Sequence, residues 1–147
     1  SRMAASPTTR TPEGADLGRR CVDICLDRQA ENVRLYNVAK TSLLADCTLI
    51  CTGKSEPHIR AIRERLEREL RDLGVRPIHV EGAPASRWTI LDFGSVLVHI
   101  FSPEMRAYYL LEELWADADI LYSEEENEED GEHAAAPESA PPHAPSE

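Results

Sequence analysis

An apolar run followed directly by an amphipathic helix limits this chain to few folds. Residues 46–52 (DCTLICT) are apolar at nearly every position, which is typical of a strand covered on both faces. After Gly53, one stripe of large apolar residues recurs at helical spacing: Ile59, Ile62, Leu66, Leu70 and Leu73. Ser55 predicts the N-cap of this helix and Gly74 its end. The pair favours an α/β fold, because the helix must bury its stripe against a sheet.

The periodicity of the remaining chain predicts further strands and a helix at each end. Asp16 is expected to cap a first helix that reaches about residue 30. Strands are predicted at residues 33–38, 75–81, 87–92 and 96–101. The last two form a hairpin, and Pro103 then opens a final helix over residues 104–115. This order predicts a mixed five-stranded sheet with an antiparallel end, packed by helices.

The negative charge is concentrated at the C-terminal end. Of the 27 acidic residues, nine fall in residues 123–147, which hold no Lys or Arg. Residues 1–122 therefore carry 18 acidic and 16 basic residues, a net charge of −2 out of −11. We predict a disordered segment at residues 1–15, one folded domain at residues 16–122 and a disordered acidic, Ala/Pro-rich tail at residues 123–147. The near-neutral domain argues against broad nonspecific nucleic-acid binding, which needs a basic face, and we expect no direct sequence-specific nucleic-acid partner.

The cysteine pattern indicates free thiols in a reducing compartment. Cys21 and Cys25 lie in a helical pattern, and Cys47 and Cys51 in a strand pattern. Four residues along a strand span about 13 Å, too far for two sulfurs to share one zinc ion. We therefore expect no metal, no cofactor and buried thiols. With no apolar run near the roughly 20 residues that span a bilayer, we expect no membrane partner. The Arg- and Ser-containing stretch at the start is very short and contains Pro, so we expect a bacterial cytoplasmic location rather than an organelle.

Three patterns invite an enzymatic interpretation, and each is incomplete. Residues 52–55 (TGKS) resemble a phosphate loop, but the position five residues before Gly53 holds Thr48 rather than the required Gly. Lys54 could still meet an anion at the helix N-terminus, so a nucleotide-binding or nucleotidyltransferase-like enzyme using residues 53–55 stays the alternative. Such an enzyme needs closely spaced carboxylates for metal ions, and the following strands offer only Glu81 and Asp92.

The third pattern pairs a histidine with a carboxylate. His99 and Asp92 fall on adjacent strands of the hairpin, but no Ser or Cys nucleophile is placed beside them. A histidine followed two residues later by Phe101 is more often a hydrogen-bonded structural residue. The residues therefore predict a protein that is not an enzyme and has no catalytic residues.

A surface for a partner is predicted at the hairpin and the final helix. Strand alternation places Trp88, Ile90 and Asp92 on one face of the sheet. Both tryptophans lie in this part of the chain, and large aromatic residues are enriched in protein interfaces. Trp88 follows an exposed turn, which favours an interface. For Tyr108 and Trp115, core and interface both stay open.

Three separated stretches then resemble one family. They are DCTLICTGKSEPHI, EGAPASRWTILDFGSVLVHIF and MRAYYLLEELW, and they look like the ribosomal silencing factors of the RsfS (Iojap-like) family over residues 17–115. The resemblance implies a nucleotidyltransferase-like α/β fold without catalytic carboxylates. It also implies binding to ribosomal protein L fourteen on the large subunit, which blocks joining of the small subunit and represses translation when nutrients are scarce.

The resemblance also suggests which residues meet the partner. Family positions are matched by Glu81, Gly82, Trp88, Asp92, His99, Arg106, Tyr109, Glu112 and Trp115. The predicted partner-binding residues are Trp88, Ile90, Asp92, Glu81, Gly82, His99, Arg106 and Tyr109. Trp88 would anchor the contact and Asp92 would pair with a basic group, whereas Ser95 stands where the family usually has Asp. A homodimer that pairs through an exposed edge strand is a further alternative.

Overall fold

A six-stranded mixed sheet packed by helices forms the fold in the computed structural model, which describes residues 11–124. The strands are β1 (Glu31–Asn37), β2 (Cys47–Thr52), β3 (His79–Glu81), β4 (Trp88–Asp92), β5 (Val96–Phe101) and β6 (Asp119–Ser123). The helices are α1 (Gly14–Asp27), α2 (Glu56–Asp72) and α3 (Pro103–Tyr109), with short 3₁₀ turns at Pro84–Ser86 and Leu111–Trp115. The predictions for residues 1–10 and 125–147 lie outside the described residues.

The sheet order is β3-β4-β5-β2-β1-β6, and β2 pairs with β5 in parallel while the other pairs are antiparallel. All six residues of β2 are buried, which confirms that the apolar run is a central strand. The α/β class is confirmed, but the number of strands was wrong, because β6 forms a sixth strand at the edge beside β1. β6 is largely exposed or half-buried, so it lacks the apolar pattern of an inner strand.

Helices α1 and α2 pack on one face of the sheet and form the main core. The buried residues of α2 are Ile59, Ile62, Leu66 and Leu70, as the stripe predicts. The four cysteines are free and buried at the contact of α1 with β2, which confirms the prediction for the thiols. Burial raises the pKa of Cys21 to about 12. Thiols held in the protonated form in this way are poor nucleophiles.

Helix α2 begins as predicted, but α1 does not. Ser55 is the N-cap of α2, and its Oγ accepts a hydrogen bond from the His58 amide at 3.2 Å. Helix α1 begins at Gly14 after Glu13, not after Asp16. The reason is tertiary, because the Gly14 amide donates to the Ser95 hydroxyl at 2.8 Å across the fold.

Two other predicted elements are shorter than expected. The strand predicted at residues 75–81 is reduced to His79–Glu81, because the amide of Val75 still bonds to the carbonyl of Leu70 at the end of α2. The final helix stops at Tyr109, because Leu110 adopts a left-handed conformation with φ 50°. The chain then turns back onto the sheet through the 3₁₀ turn.

The second face of the sheet is covered only in part. Near its middle, Tyr36, Val38, Ile50 and Phe101 form a small buried cluster beneath Met105, Leu111 and Trp115. On the β3–β4–β5 side of this face, α3 contacts β5 and its Tyr109 lies against Trp88, while Ile90 and Asp92 stay half-buried and Glu81 stays exposed. Among residues 11–124, no helix is both long enough and apolar enough to cross a membrane.

Candidate partner-binding face

The β3–β4–β5 side of this second face presents five of the predicted residues together. We call it the open face and define it by Glu81, Trp88, Ile90, Asp92 and His99. Glu81 pairs with Ile90 and Ile90 with His99 across three neighbouring strands, so these residues form one row. Thr89 and Leu91 are buried on the opposite side, while Trp88, Ile90 and Asp92 are half-buried, which confirms the predicted alternation of β4.

Trp88 packs against other aromatic side chains at one end of the open face. Its ring centroid is 4.8 Å from that of Phe101 and 4.9 Å from that of Tyr109. Its indole Nε1 donates a hydrogen bond to His99 Nδ1 at 3.3 Å. The side chain is therefore held in one orientation before any partner arrives, while part of its surface stays accessible. Ordered aromatic groups of this kind lose little conformational entropy on binding.

His99 lies at the centre of this aromatic group. Its ring is 6.1 Å from Phe101 in a stacked arrangement and 5.9 Å from Trp115. Burial lowers the pKa of His99 to about 4, so the imidazole is neutral near pH 7. Only 7% of the residue is exposed. His99 is thus hydrogen-bonded, as the sequence suggests, and it also reaches the open face.

Carboxylates border the open face. Asp92 uses one oxygen to accept a hydrogen bond from the Gly94 amide at 2.8 Å, and Glu81 lies 3.0 Å from the His79 ring nitrogen. The adjoining residues 103–115 add three acidic residues, namely Glu104, Glu112 and Glu113, and one basic residue, Arg106. This side of the molecule is therefore acidic and complements a basic partner.

Arg106 and Gly82 were both predicted to meet the partner. In the structure, contacts within the fold explain why an arginine and a glycine stand at these positions. Arg106 is 8% exposed, and its guanidinium bonds to Thr52 Oγ1 at 3.0 Å and to Glu112 Oε2 at 3.0 and 3.1 Å. Gly82 has φ +83°, and a Cβ atom there would collide with the carbonyl oxygen of Trp88. The two residues therefore position the elements that carry the open face.

Other aromatic and apolar residues are exposed in α3 and in the connection between β1 and β2. Tyr109 is 45% exposed and Tyr108 is 52% exposed, whereas Trp115 is half-buried against Tyr36 at 5.5 Å. Sequence reasoning missed Leu43 and Leu44, which are almost fully exposed in the connection between β1 and β2. Two adjacent leucines in a connecting segment are the signal that could have marked them.

The turn at residues 53–55 borders a cleft of about 400 Å³, but its groups already have protein partners. The Lys54 amide donates to His58 Nδ1 at 2.8 Å, and the Lys54 ammonium lies 3.5 Å from Glu31. Two basic residues, Lys54 and Arg87, and two acidic residues, Glu56 and Glu104, line the cleft, so its balanced charge does not favour an anionic ligand. Within the described part of the chain, no group of three His, Cys, Asp or Glu side chains could hold a metal ion.

Comparison with known proteins finds one family. The family model described as "Ribosomal silencing factor during starvation" matches residues 11–146. A ribosomal silencing factor RsfS from Halalkalibacterium halodurans is 42% identical over 92 residues, which cover 63% of this chain and 79% of that protein.

Two crystal structures have the same fold. A protein from Chromobacterium violaceum matches with a TM-score of 0.68 and 25% identity over 71% of this chain and 87% of its own. A protein from Bacillus halodurans matches with a TM-score of 0.63 and 37% identity over 69% of this chain and 95% of its own. The matched sequences and the shared fold cover the elements that build the open face, and the chain belongs to the ribosomal silencing factor family.

Proposed function

We propose that this protein binds the large ribosomal subunit through ribosomal protein L fourteen and sterically blocks its association with the small subunit. The bound domain would repress translation by occupying the joining surface, with no catalytic step. Family membership supports the link to the ribosome, and the open face supplies a surface of suitable chemistry. The cell compartment we propose is the bacterial cytoplasm.

The main support for the proposal is the packing and hydrogen bonding of Trp88. An indole held between Phe101 and Tyr109, hydrogen-bonded to His99 and still half-buried, is pre-ordered for a contact that would finish its burial. Aromatic anchors surrounded by less critical contacts contribute most of the free energy in many interfaces. The carboxylates at the border suit a basic ribosomal protein and would speed the encounter more than they tighten the complex.

The first test replaces Trp88 with Ala and measures co-sedimentation with purified large subunits. We expect the affinity to fall by about 30-fold or more, the loss typical of a hot-spot residue. Tyr122→Ala is the matched control, because Tyr122 is a half-buried aromatic residue that packs against the core on the helix side. Wild-type binding by a folded Trp88→Ala protein would refute the proposed site.

A second test isolates the charge of Asp92. Asp92→Asn keeps an oxygen for the Gly94 amide but removes the negative charge. We expect a slower association with large subunits at low salt and a smaller difference at high salt, where charges are screened. Glu56→Gln, at the start of α2, is the control. Equal association rates for Asp92→Asn and wild type at low salt would contradict a basic partner at this position.

Subunit joining is measured separately from binding. Light scattering on mixing small and large subunits should show slower association when the wild-type protein is present, and no effect of Trp88→Ala at the same concentration. If the wild-type protein binds but does not slow joining, the proposed block is wrong. Calorimetry with nucleoside triphosphates and Mg²⁺ tests the alternative use of residues 53–55.

A further inference from the structure

The hydrogen bond between Trp88 and His99 determines where the imidazole proton lies. An indole Nε1–H can only donate, so His99 Nδ1 must be the acceptor in this 3.3 Å contact. A neutral imidazole carries one proton, and that proton must then reside on Nε2. Trp88 therefore selects one tautomer of His99.

The Nε2–H group has no acceptor among the described residues. No residue in the range 11–124 accepts a hydrogen bond from it, and it is not sealed from solvent. The rings of Trp88, Phe101 and Trp115 lie around the imidazole, and Ile90 and Ile50 are its neighbours across the strands. The open face thus holds one polar donor that solvent can reach, among mostly apolar neighbours.

We propose that His99 Nε2–H donates a hydrogen bond to an uncharged carbonyl oxygen of the ribosomal partner, in the middle of the contact. This inference rests on the proposed function and names the chemical group that the partner must bring. Asp92 and Glu81 at the border disfavour a carboxylate as the acceptor, because like charges would be brought together. A cationic side chain has no lone pair to offer.

The bond would contribute specificity more than strength. A surface that covers His99 with apolar atoms would remove water from Nε2–H without offering another acceptor. The unsatisfied donor would lower the affinity roughly tenfold or more. Only a partner that places an oxygen at this point avoids the loss. His99 would thereby select among basic proteins that the acidic border attracts without discrimination.

A pair of substitutions separates the two nitrogens of His99. Asn places its amide near the position of Nδ1, and Gln places its amide near the position of Nε2. His99→Asn can still accept from Trp88 but has no outward donor, so affinity for purified large subunits should fall about tenfold or more. His99→Gln keeps the outward donor but loses the acceptor for Trp88, so it should bind more weakly than wild type and more tightly than His99→Asn. Thermal unfolding establishes that both variants are folded.

The contrary results are distinct for each claim. Wild-type affinity of His99→Asn, or equal losses in both variants, overturns this inference. If Trp88→Ala loses binding while His99→Asn keeps it, the proposed function stands and only the role of His99 fails. Failure of the wild-type protein to bind large subunits overturns both. In the free protein, nitrogen NMR should show the Nε2-protonated tautomer near pH 7, and a proton on Nδ1 instead would also overturn the inference.

Discussion

Removing the guanidinium of Arg106 should destabilise the fold more than any exposed ion pair could. Arg106 links two elements, because its guanidinium bonds to Thr52 at the end of β2 and to Glu112 in the 3₁₀ turn. Arg106→Met keeps most of the length of the side chain and removes two hydrogen bonds and the ion pair with Glu112. The substitution leaves Glu112 without its cation and Thr52 Oγ1 without its donor.

The expected cost follows from the burial of the pair. Breaking a buried ion pair by removing one partner costs about 3–5 kcal/mol. The Arg106 side chain is 9% exposed and that of Glu112 is 22% exposed. Because water can reach Glu112 in part, we expect the lower end, about 3 kcal/mol. Glu112→Gln should cost about 2 kcal/mol, and the double variant about 3.5 rather than 5 kcal/mol, because the two groups interact.

Urea unfolding followed by circular dichroism measures these free energies. Lys54→Met is the control, because the Lys54–Glu31 pair is exposed at 61% and 51% and should contribute less than about 1 kcal/mol. A loss below about 1 kcal/mol for Arg106→Met, or additive losses in the double variant, would refute the reasoning. The ribosome is not needed, so this outcome is independent of the proposed function.

Three further predictions concern the thiols, His99 and Gly82. Ellman's reagent should modify none of the four buried thiols in the folded protein and all four after denaturation. The free energy of unfolding, measured by urea titration, should fall by roughly 3 kcal/mol as the pH drops from 6.5 to about 4. The reason is that His99 takes up a proton at a higher pH in the unfolded chain than in the folded one. His99→Asn should remove this dependence. Gly82→Ala should lower the free energy of unfolding by about 3 kcal/mol, because the new Cβ atom would collide with the Trp88 carbonyl oxygen. Gly94 also has a positive φ, +90°, but a Cβ atom there meets no clash, so Gly94→Ala should cost only about 1 kcal/mol.

Each of these predictions has a clear contrary result. Rapid labelling of a thiol under native conditions would mean that the contact of α1 with β2 opens. An unchanged pH dependence in His99→Asn would mean that another group is responsible. Equal losses for the two glycine variants would mean that the close approach of Gly82 to Trp88 has no energetic weight.

The open face could be predicted in outline because it depends on alternation along one strand. Trp88, Ile90 and Asp92 share a face in any straight strand, whatever the rest of the chain does. The function of Arg106 could not be predicted in this way. A lone arginine near aromatic residues is typical of an interface. Only the tertiary structure shows that Arg106 is bonded within the fold, to Thr52, which is 54 residues away in the chain.

The sequence by itself determined the units that local periodicity and capping control. These are the central strand β2, helix α2 with its Ser55 cap, the β4–β5 hairpin and the family to which the chain is similar. Tertiary structure decided the sixth strand, the break at Leu110 and the tautomer of His99. Those features depend on contacts between distant residues, such as that of Gly14 with Ser95 across 81 positions, and no local pattern encodes such a contact.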